Sequence, residues 1–175
     1  MADKSQPIAL TPAQILELIP QQAPFRFVDE IREVSELQIT GGYTFKTNES
    51  FYAGHFPGNP VTPGVILLES MCQIGVVALG IYLLSLDESA DEVRHWTTFF
   101  SDAQTEFMHP VYPGDRVTVK AERVFWRRKK LRCQIEMRNQ QGILVAQATA
   151  SGMGIRQAAT PNVQATGQVS GKEPS

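Results

Sequence analysis

The chain has 175 residues, 42% of them hydrophobic, which is enough for one substantial core and too few for two ordinary domains. Sixteen Lys and Arg residues against 18 Asp and Glu residues give a formal net charge of −2, so net charge offers no support for nucleic-acid binding. Cys72 and Cys133 are far apart and lack metal-ligand spacing, and no secretory leader opens the sequence. These features favour one cytoplasmic domain with no metal site.

A short helix is predicted after a loose leader of ten residues. Thr11-Pro12-Ala13-Gln14 matches a capping box with proline at the first helical position, and Pro20 ends the helix after Ile19. Between Leu37 and Phe45, apolar and polar residues alternate, which predicts a half-buried strand.

A loop rich in Gly and Pro, residues 48–64, leads into a long apolar segment, Val65 to Leu86. The segment is long enough to cross a bilayer, which takes about 20 residues. It contains Glu69 and Gln73, whose side chains would be costly in a lone membrane span. We therefore predict a helix buried in the protein core and no membrane span.

The second half of the sequence predicts mostly strands. Strand-like runs cover residues 96–100, 106–108, 117–125, 131–137 and 144–155, and Asn139-Gln140-Gln141-Gly142 predicts a hairpin turn. Together with the long helix, this order predicts an α+β fold in which a curled antiparallel sheet wraps a single helix. We expect one domain over residues 1–156 and a disordered tail over residues 157–175.

The segment from Gly54 to Gln73 carries the chemistry. It places His55 in a rigid loop, a helix N-terminus at Gly64, and the carboxylate of Glu69 about one turn later. Free amides at a helix N-terminus can polarise a carbonyl oxygen. Removal of a weakly acidic proton beside a thioester needs a base near neutrality, which suits histidine, and elimination of the adjacent hydroxyl needs an acid.

The same segment resembles the signature of the 3-hydroxyacyl-ACP dehydratases of the FabZ type: Gly-His-Phe-Pro, then Pro-Val-x-Pro-Gly, a catalytic Glu and Met-x-Gln. Glu69 stands where the related FabA type has Asp. The resemblance extends to Pro24-Phe25-x-Phe27-Val28-Asp29 and Pro110-Val111-x-Pro113-Gly114-Asp115, so it covers roughly residues 10–156.

The resemblance implies a hot-dog fold, no cofactor, and a homodimer with shared active sites, either alone or associated into a trimer of dimers. His55 of one subunit would take the Cα proton and Glu69 of the other would assist departure of the hydroxyl. Gly64 would hold the thioester oxygen, with Val65 and Phe56 also in the substrate-binding set. The acyl chain would arrive on the phosphopantetheine of acyl carrier protein. Gln73, one turn after Glu69, either orients it or has a packing role.

Several positions depart from the family pattern. Gln21-Gln22 replaces a usual His-Arg, Thr62 replaces a common Met, and Glu106 and Met108 stand where basic residues are usual. None of these is a proposed catalytic residue. They leave open fatty acid synthesis or a specialised polyketide-like or polyene-like pathway.

One dense basic cluster is present, and within it we single out as the basic turn Arg127, Arg128, Lys129 and Lys130. It is either a solvated strand turn or a docking site for an acidic carrier protein. His95 and His109 have no motif and are expected at the surface or in packing. The competing functions are a hot-dog acyl thioesterase and a non-catalytic hot-dog scaffold subunit, because one fold hosts many functions.

Overall fold

The computed structural model describes residues 9–157, and within them a six-stranded antiparallel sheet curls around one long helix. The spatial order of the strands is β1-β2-β4-β5-β6-β3, and a 3-10 helix at Ser50–Ala53 follows β2. The helices and strands are, in chain order, α1 (Pro12–Leu18), β1 (Glu30–Val34), β2 (Gln38–Thr44), α2 (Gly64–Ser85), α3 (Ala90–Val93), β3 (Trp96–Phe107), β4 (Arg116–Arg127), β5 (Lys130–Asn139) and β6 (Leu144–Arg156).

The predicted helix start at Thr11 is confirmed. The Thr11 hydroxyl accepts from the Gln14 amide, and the Gln14 side chain accepts from the Thr11 amide at 2.9 Å, which completes the capping box. Ile15 is fully buried and attaches α1 to the core. The predicted tail falls almost entirely on residues 158–175, which lie outside the described part of the chain.

Helix α2 is the centre of the core, as predicted. By length and composition it could cross a membrane, but 72% of its most apolar window is buried within the protein. Its middle, Gln73–Ala78, is a π-helical segment that packs on β2, β4, β5 and β6. The sheet therefore covers the apolar surface that would otherwise require another apolar environment.

The helix lies very close to the sheet at two glycines. A Cβ on Gly75 would lie 2.8 Å from Ile135 Cδ1 and 2.9 Å from the Ala121 Cβ. On the sheet side, a Cβ on Gly152 would lie 2.7 Å from Val76 Cγ1. The absence of side chains at these positions therefore sets the height of α2 above the sheet.

Two strand predictions differ from the structure. The segments 96–100 and 106–107 belong to the single strand β3, which ends one residue before the predicted limit, and pairing with β6 continues across a bulge between Phe100 and Asp102. Strand β1 was not predicted. A second bulge, between Ile31 and Glu33, breaks the alternation of apolar residues that would have indicated it.

Both cysteines are free thiols within the core. Burial raises the pKa of Cys72 and of Cys133 to about 12. Thiolate chemistry at neutral pH is thereby suppressed, so these residues act as apolar packing groups.

Substitution of two glycines in α2 tests the close approach. We expect Gly75→Ala to lower the free energy of unfolding by about 1–3 kcal/mol, because Ile135 and Ala121 leave no room for a methyl group. Gly80→Ala is the matched control, since the nearest atom to its Cβ would be 3.9 Å away. It should stabilise by about 0.5–1 kcal/mol. Urea unfolding measures both, and equal effects would contradict the packing described.

Candidate active site

His55 is held by hydrogen bonds of both its side chain and its main chain. Its Nδ1 lies 3.0 Å from the Val61 carbonyl oxygen, and its own carbonyl accepts from the Val61 amide at 3.2 Å. The His55 amide donates to the Phe51 carbonyl at 3.0 Å. Because a carbonyl can only accept, Nδ1 carries the proton, and in the neutral ring Nε2 keeps its lone pair. The ring is thus presented in the tautomer that a general base at Nε2 requires.

The loop around His55 is mostly exposed. The His55 ring stacks on Phe56, with centroids 4.1 Å apart, and 56% of Phe56 remains accessible. Two side chains close the base of this loop, since Tyr52 Oη lies 2.6 Å from Thr62 Oγ1 and both residues are buried. The sequence pattern did not predict a role for these two residues. All that could have indicated one is that their hydroxyl groups lie on either side of the Gly-His-Phe-Pro element.

Helix α2 begins at the predicted position, Gly64. The amides of Ile66 and Leu67 donate to the Pro63 carbonyl, at 2.9 and 3.1 Å. Within residues 9–157, the amides of Gly64 and Val65 have no acceptor, and Val65 is 71% exposed. Two free donors at a helix N-terminus form an arrangement suited to a carbonyl oxygen that gains negative charge.

A cavity of about 390 Å³ opens beside this helix terminus. A Cβ on Gly64 would lie 3.1 Å from the Phe107 ring, so glycine keeps this wall open. His109 lines the same cavity, although it carries no family motif. The lining residues are Thr62, Gly64, Leu67, Phe107, Met108, His109 and Pro110.

Glu69 is held by Gln73, which is fully buried. The Gln73 Nε2 donates to Glu69 Oε1 at 2.9 Å and to the Phe25 carbonyl at 2.8 Å, while its Oε1 accepts from the Phe27 amide at 2.7 Å. Ser70 donates to the Phe27 carbonyl at 2.8 Å. The Gln73 side chain is therefore both packed in the core and hydrogen-bonded to Glu69. In the described residues, Glu69 Oε2 makes no hydrogen bond.

His55 and Glu69 are not joined within one chain. In the described part of the chain no hydrogen bond links them, and each is oriented by a different neighbour, Val61 or Gln73. The chain thus presents two separately supported functional groups. Likewise, residues 9–157 contain no group of three or more His, Cys, Asp and Glu side chains placed to hold a metal ion.

The basic turn connects β4 to β5, with positive φ at Arg128 and Lys129. Lys129 packs over the Trp96 ring at 5.5 Å and lies 3.2 Å from Glu88 Oε1. Lys130 lies 3.9 Å from Asp102. Two of the four basic side chains therefore face carboxylates of the same chain at partly exposed positions. This turn lies by the C-terminal end of α2, a helix of 22 residues whose length is about 33 Å.

Strand β3 is an unpaired edge of the sheet. It has 12 residues, pairs only with β6 within residues 9–157, and three of its aromatic side chains are accessible: Phe99 is 56%, Phe107 48% and Phe100 42% exposed. Long apolar edges are sites of pairing with another chain.

Comparison with known proteins gives one consistent family. Residues 19–151 match the model of the FabA-like domain. The 3-hydroxyacyl-[acyl-carrier-protein] dehydratase FabZ of Geotalea uraniireducens is 38% identical over 117 residues, covering 66% of this chain and 77% of that protein. The protein of the same name from Caldicellulosiruptor bescii is 41% identical over 111 residues, 62% of this chain and 74% of that protein.

Solved structures match the fold at low identity. The dehydratase heterocomplex ApeI:P from Xenorhabdus doucetiae gives a TM-score of 0.63 at 14% identity, covering 86% of this chain and 93% of the other. The thioesterase HI1161 from Haemophilus influenzae gives 0.61 at 19% identity, covering 88% and 96%. At such identities the likeness concerns the fold alone, and the predicted hot-dog architecture is confirmed.

Proposed function

The chain belongs to the FabA-like family, as the resemblance predicts, and from this membership and the geometry we propose that it dehydrates 3-hydroxyacyl thioesters carried on acyl carrier protein. The observation that carries the proposal is the 3.0 Å contact between His55 Nδ1 and the Val61 carbonyl oxygen, which leaves Nε2 free to act as a base. The products are trans-2-enoyl thioesters of fatty acid synthesis or of a specialised pathway. The competing thioesterase function is supported only by the fold that this chain shares with HI1161.

The proposed reaction is an elimination between two positioned groups. His55 Nε2 removes the proton from Cα, and the electrons of that C–H bond form the double bond to Cβ. The Cβ–O bond breaks, and protonated Glu69 gives its proton to the departing hydroxyl, which leaves as water. Gln73 Nε2 holds Glu69 Oε1 and leaves Oε2 to face the substrate. The reaction requires no cofactor beyond the phosphopantetheine of the carrier.

The start of α2 supplies the third element. As the Cα proton leaves, negative charge develops on the thioester oxygen, and the unpartnered amides of Gly64 and Val65 stabilise it. Phe56 and the exposed side chain of Val65 contribute apolar surface to the substrate. Gly64 admits the thioester closely because it has no side chain.

In this proposal a homodimer, either alone or within a trimer of dimers, completes the site. The exposed aromatic residues on the free edge of β3 support pairing of two β3 strands about a twofold axis. The family resemblance places His55 of one subunit opposite Glu69 of the other. The lack of a bond between them within one chain agrees with this arrangement.

The same dimer would bring the basic turn of one subunit close to the active site of the other. Antiparallel pairing of β3 brings Trp96 of one subunit towards Phe107 of the other. Lys129 packs on Trp96, and Phe107 borders the cavity at Gly64. The basic turn of one subunit therefore lies near the catalytic cavity of the other, where it can attract an acidic carrier protein in the cytoplasm.

Removal of either catalytic group should abolish most activity. We expect His55→Ala or Glu69→Gln to lower kcat by about 10²- to 10⁴-fold, because each loses a positioned base or acid. Dehydration of a 3-hydroxyacyl carrier protein is measured, and circular dichroism checks that the fold is retained. Near wild-type turnover in either variant rules out the assignment.

Mixing the two inactive variants tests the shared site. A heterodimer of His55→Ala with Glu69→Gln has both defects in one site and none in the other. Random exchange of equal amounts should therefore restore roughly a quarter of wild-type activity. The variants are unfolded and refolded together, and mixed dimers are verified by mass. If mixed dimers form without any recovery, the two residues act within one chain.

Charge reversal at the basic turn tests carrier docking. Arg127→Glu with Arg128→Glu should raise KM for a carrier-bound substrate about tenfold and leave KM for a pantetheine thioester unchanged, since only the carrier uses the charges. Lys129 is left intact because it packs on Trp96. The control is Lys120→Glu, which changes a lysine of β4 on the exposed face of the sheet. Equal changes in KM for both substrates would exclude docking at this turn.

A further inference from the structure

We propose that Tyr52 and Thr62 are positioning residues. The hydrogen bond between their side chains, here called the clasp, closes the base of the loop that carries His55 and holds His55 in the tautomer that a base requires. The inference rests on the proposed function and assigns to Tyr52 and Thr62, the latter also a cavity-lining residue, a role that acts through His55. The Tyr52–Thr62 hydrogen bond, at 2.6 Å, joins the residue three before His55 to the residue seven after it.

The clasp occurs where the loop enters and leaves the core. Tyr52 and Thr62 are 7% and 4% exposed, whereas Gly54 and residues 56–59 are exposed. The Thr62 amide donates to the Val111 carbonyl at 2.8 Å, which anchors the outgoing end of the loop to the segment after β3. The exposed part of the loop is thus held by buried attachments at its base.

The acceptor for His55 lies directly beside the clasp. Val61, whose carbonyl oxygen accepts from His55 Nδ1, precedes Thr62 in the chain. A shift of Thr62 therefore moves the oxygen that fixes the imidazole tautomer. Without that acceptor, a neutral imidazole can carry its proton on either nitrogen, and the fraction with a free Nε2 falls.

The clasp depends on two hydroxyl groups in an apolar setting. Burial is the main cause that raises the pKa of Tyr52, so its phenol keeps its proton at neutral pH and remains available as a donor. A buried hydroxyl without a partner is costly, so each of these side chains favours the position of the other. Thr62 replaces a methionine that is common in the FabZ-type family, and methionine has no hydroxyl and offers only a weak thioether acceptor.

Four variants separate positioning from simple stability: Tyr52→Phe, Thr62→Val, the double variant, and Thr62→Ser. Each single loss leaves one buried hydroxyl unpaired, so both stability and activity should fall. The double variant leaves neither hydroxyl, so its melting temperature should return towards wild type. Its kcat should nevertheless stay about 10- to 100-fold low, like that of the single variants, because the loop is no longer held. Thr62→Ser keeps the hydroxyl and should rescue both quantities.

Nitrogen-15 NMR of the His55 ring supplies a readout that does not depend on activity. We expect the Nδ1–H tautomer in wild type and Thr62→Ser, and averaged nitrogen shifts in the other three variants. Recovery of both melting temperature and kcat in the double variant would overturn the clasp, as would an unchanged tautomer throughout. Averaged shifts with wild-type kcat would support the clasp and instead refute His55 as the base.

Discussion

Burial of one apolar helix by one curled sheet is the constraint from which the other features follow. Helix α2 can lie close to the sheet only where Gly75 and Gly152 remove side chains from the contact. The polar residues on the helix must then find partners inside the protein, and Gln73 does so with the main chain at Phe25 and Phe27. Because Gln73 also bonds Glu69, the packing of the core sets the orientation of the proposed acid.

The other half of the chemistry is supported by a different principle. His55 lies in an exposed loop, where hydrophobic burial cannot orient a side chain, and its position depends on hydrogen bonds to Val61 and Phe51. Loops carry functional groups well when a rigid scaffold fixes their ends. Here the scaffold includes the start of α2, and within one chain this helix carries Glu69 and the free amides of Gly64 and Val65, while the His55 loop leads into it.

Sequence patterns predicted what depends on local order and missed what depends on distant partners. The loop, the start of α2 and the capping box at Thr11 follow from residue types within short segments, and all were found. Strand β1 was missed because its bulge breaks the alternation at Ile31. The pairing of Lys129 with Glu88 and of Tyr52 with Thr62 depends on tertiary folding, which sequence spacing alone does not reveal. The family resemblance predicts His55 and Glu69 as catalytic residues, and their separate hydrogen-bond partners could come only from coordinates.

We propose above all that this site eliminates water from the acyl group and leaves that group on its carrier. The most direct measurement is mass spectrometry of a panel of (3R)-3-hydroxyacyl carrier proteins, varied in chain length and saturation, after incubation with the protein. We expect carrier species lighter by one water, with the acyl chain still attached. Release of the free acid with regeneration of unacylated carrier, and no species lighter by one water, would contradict it.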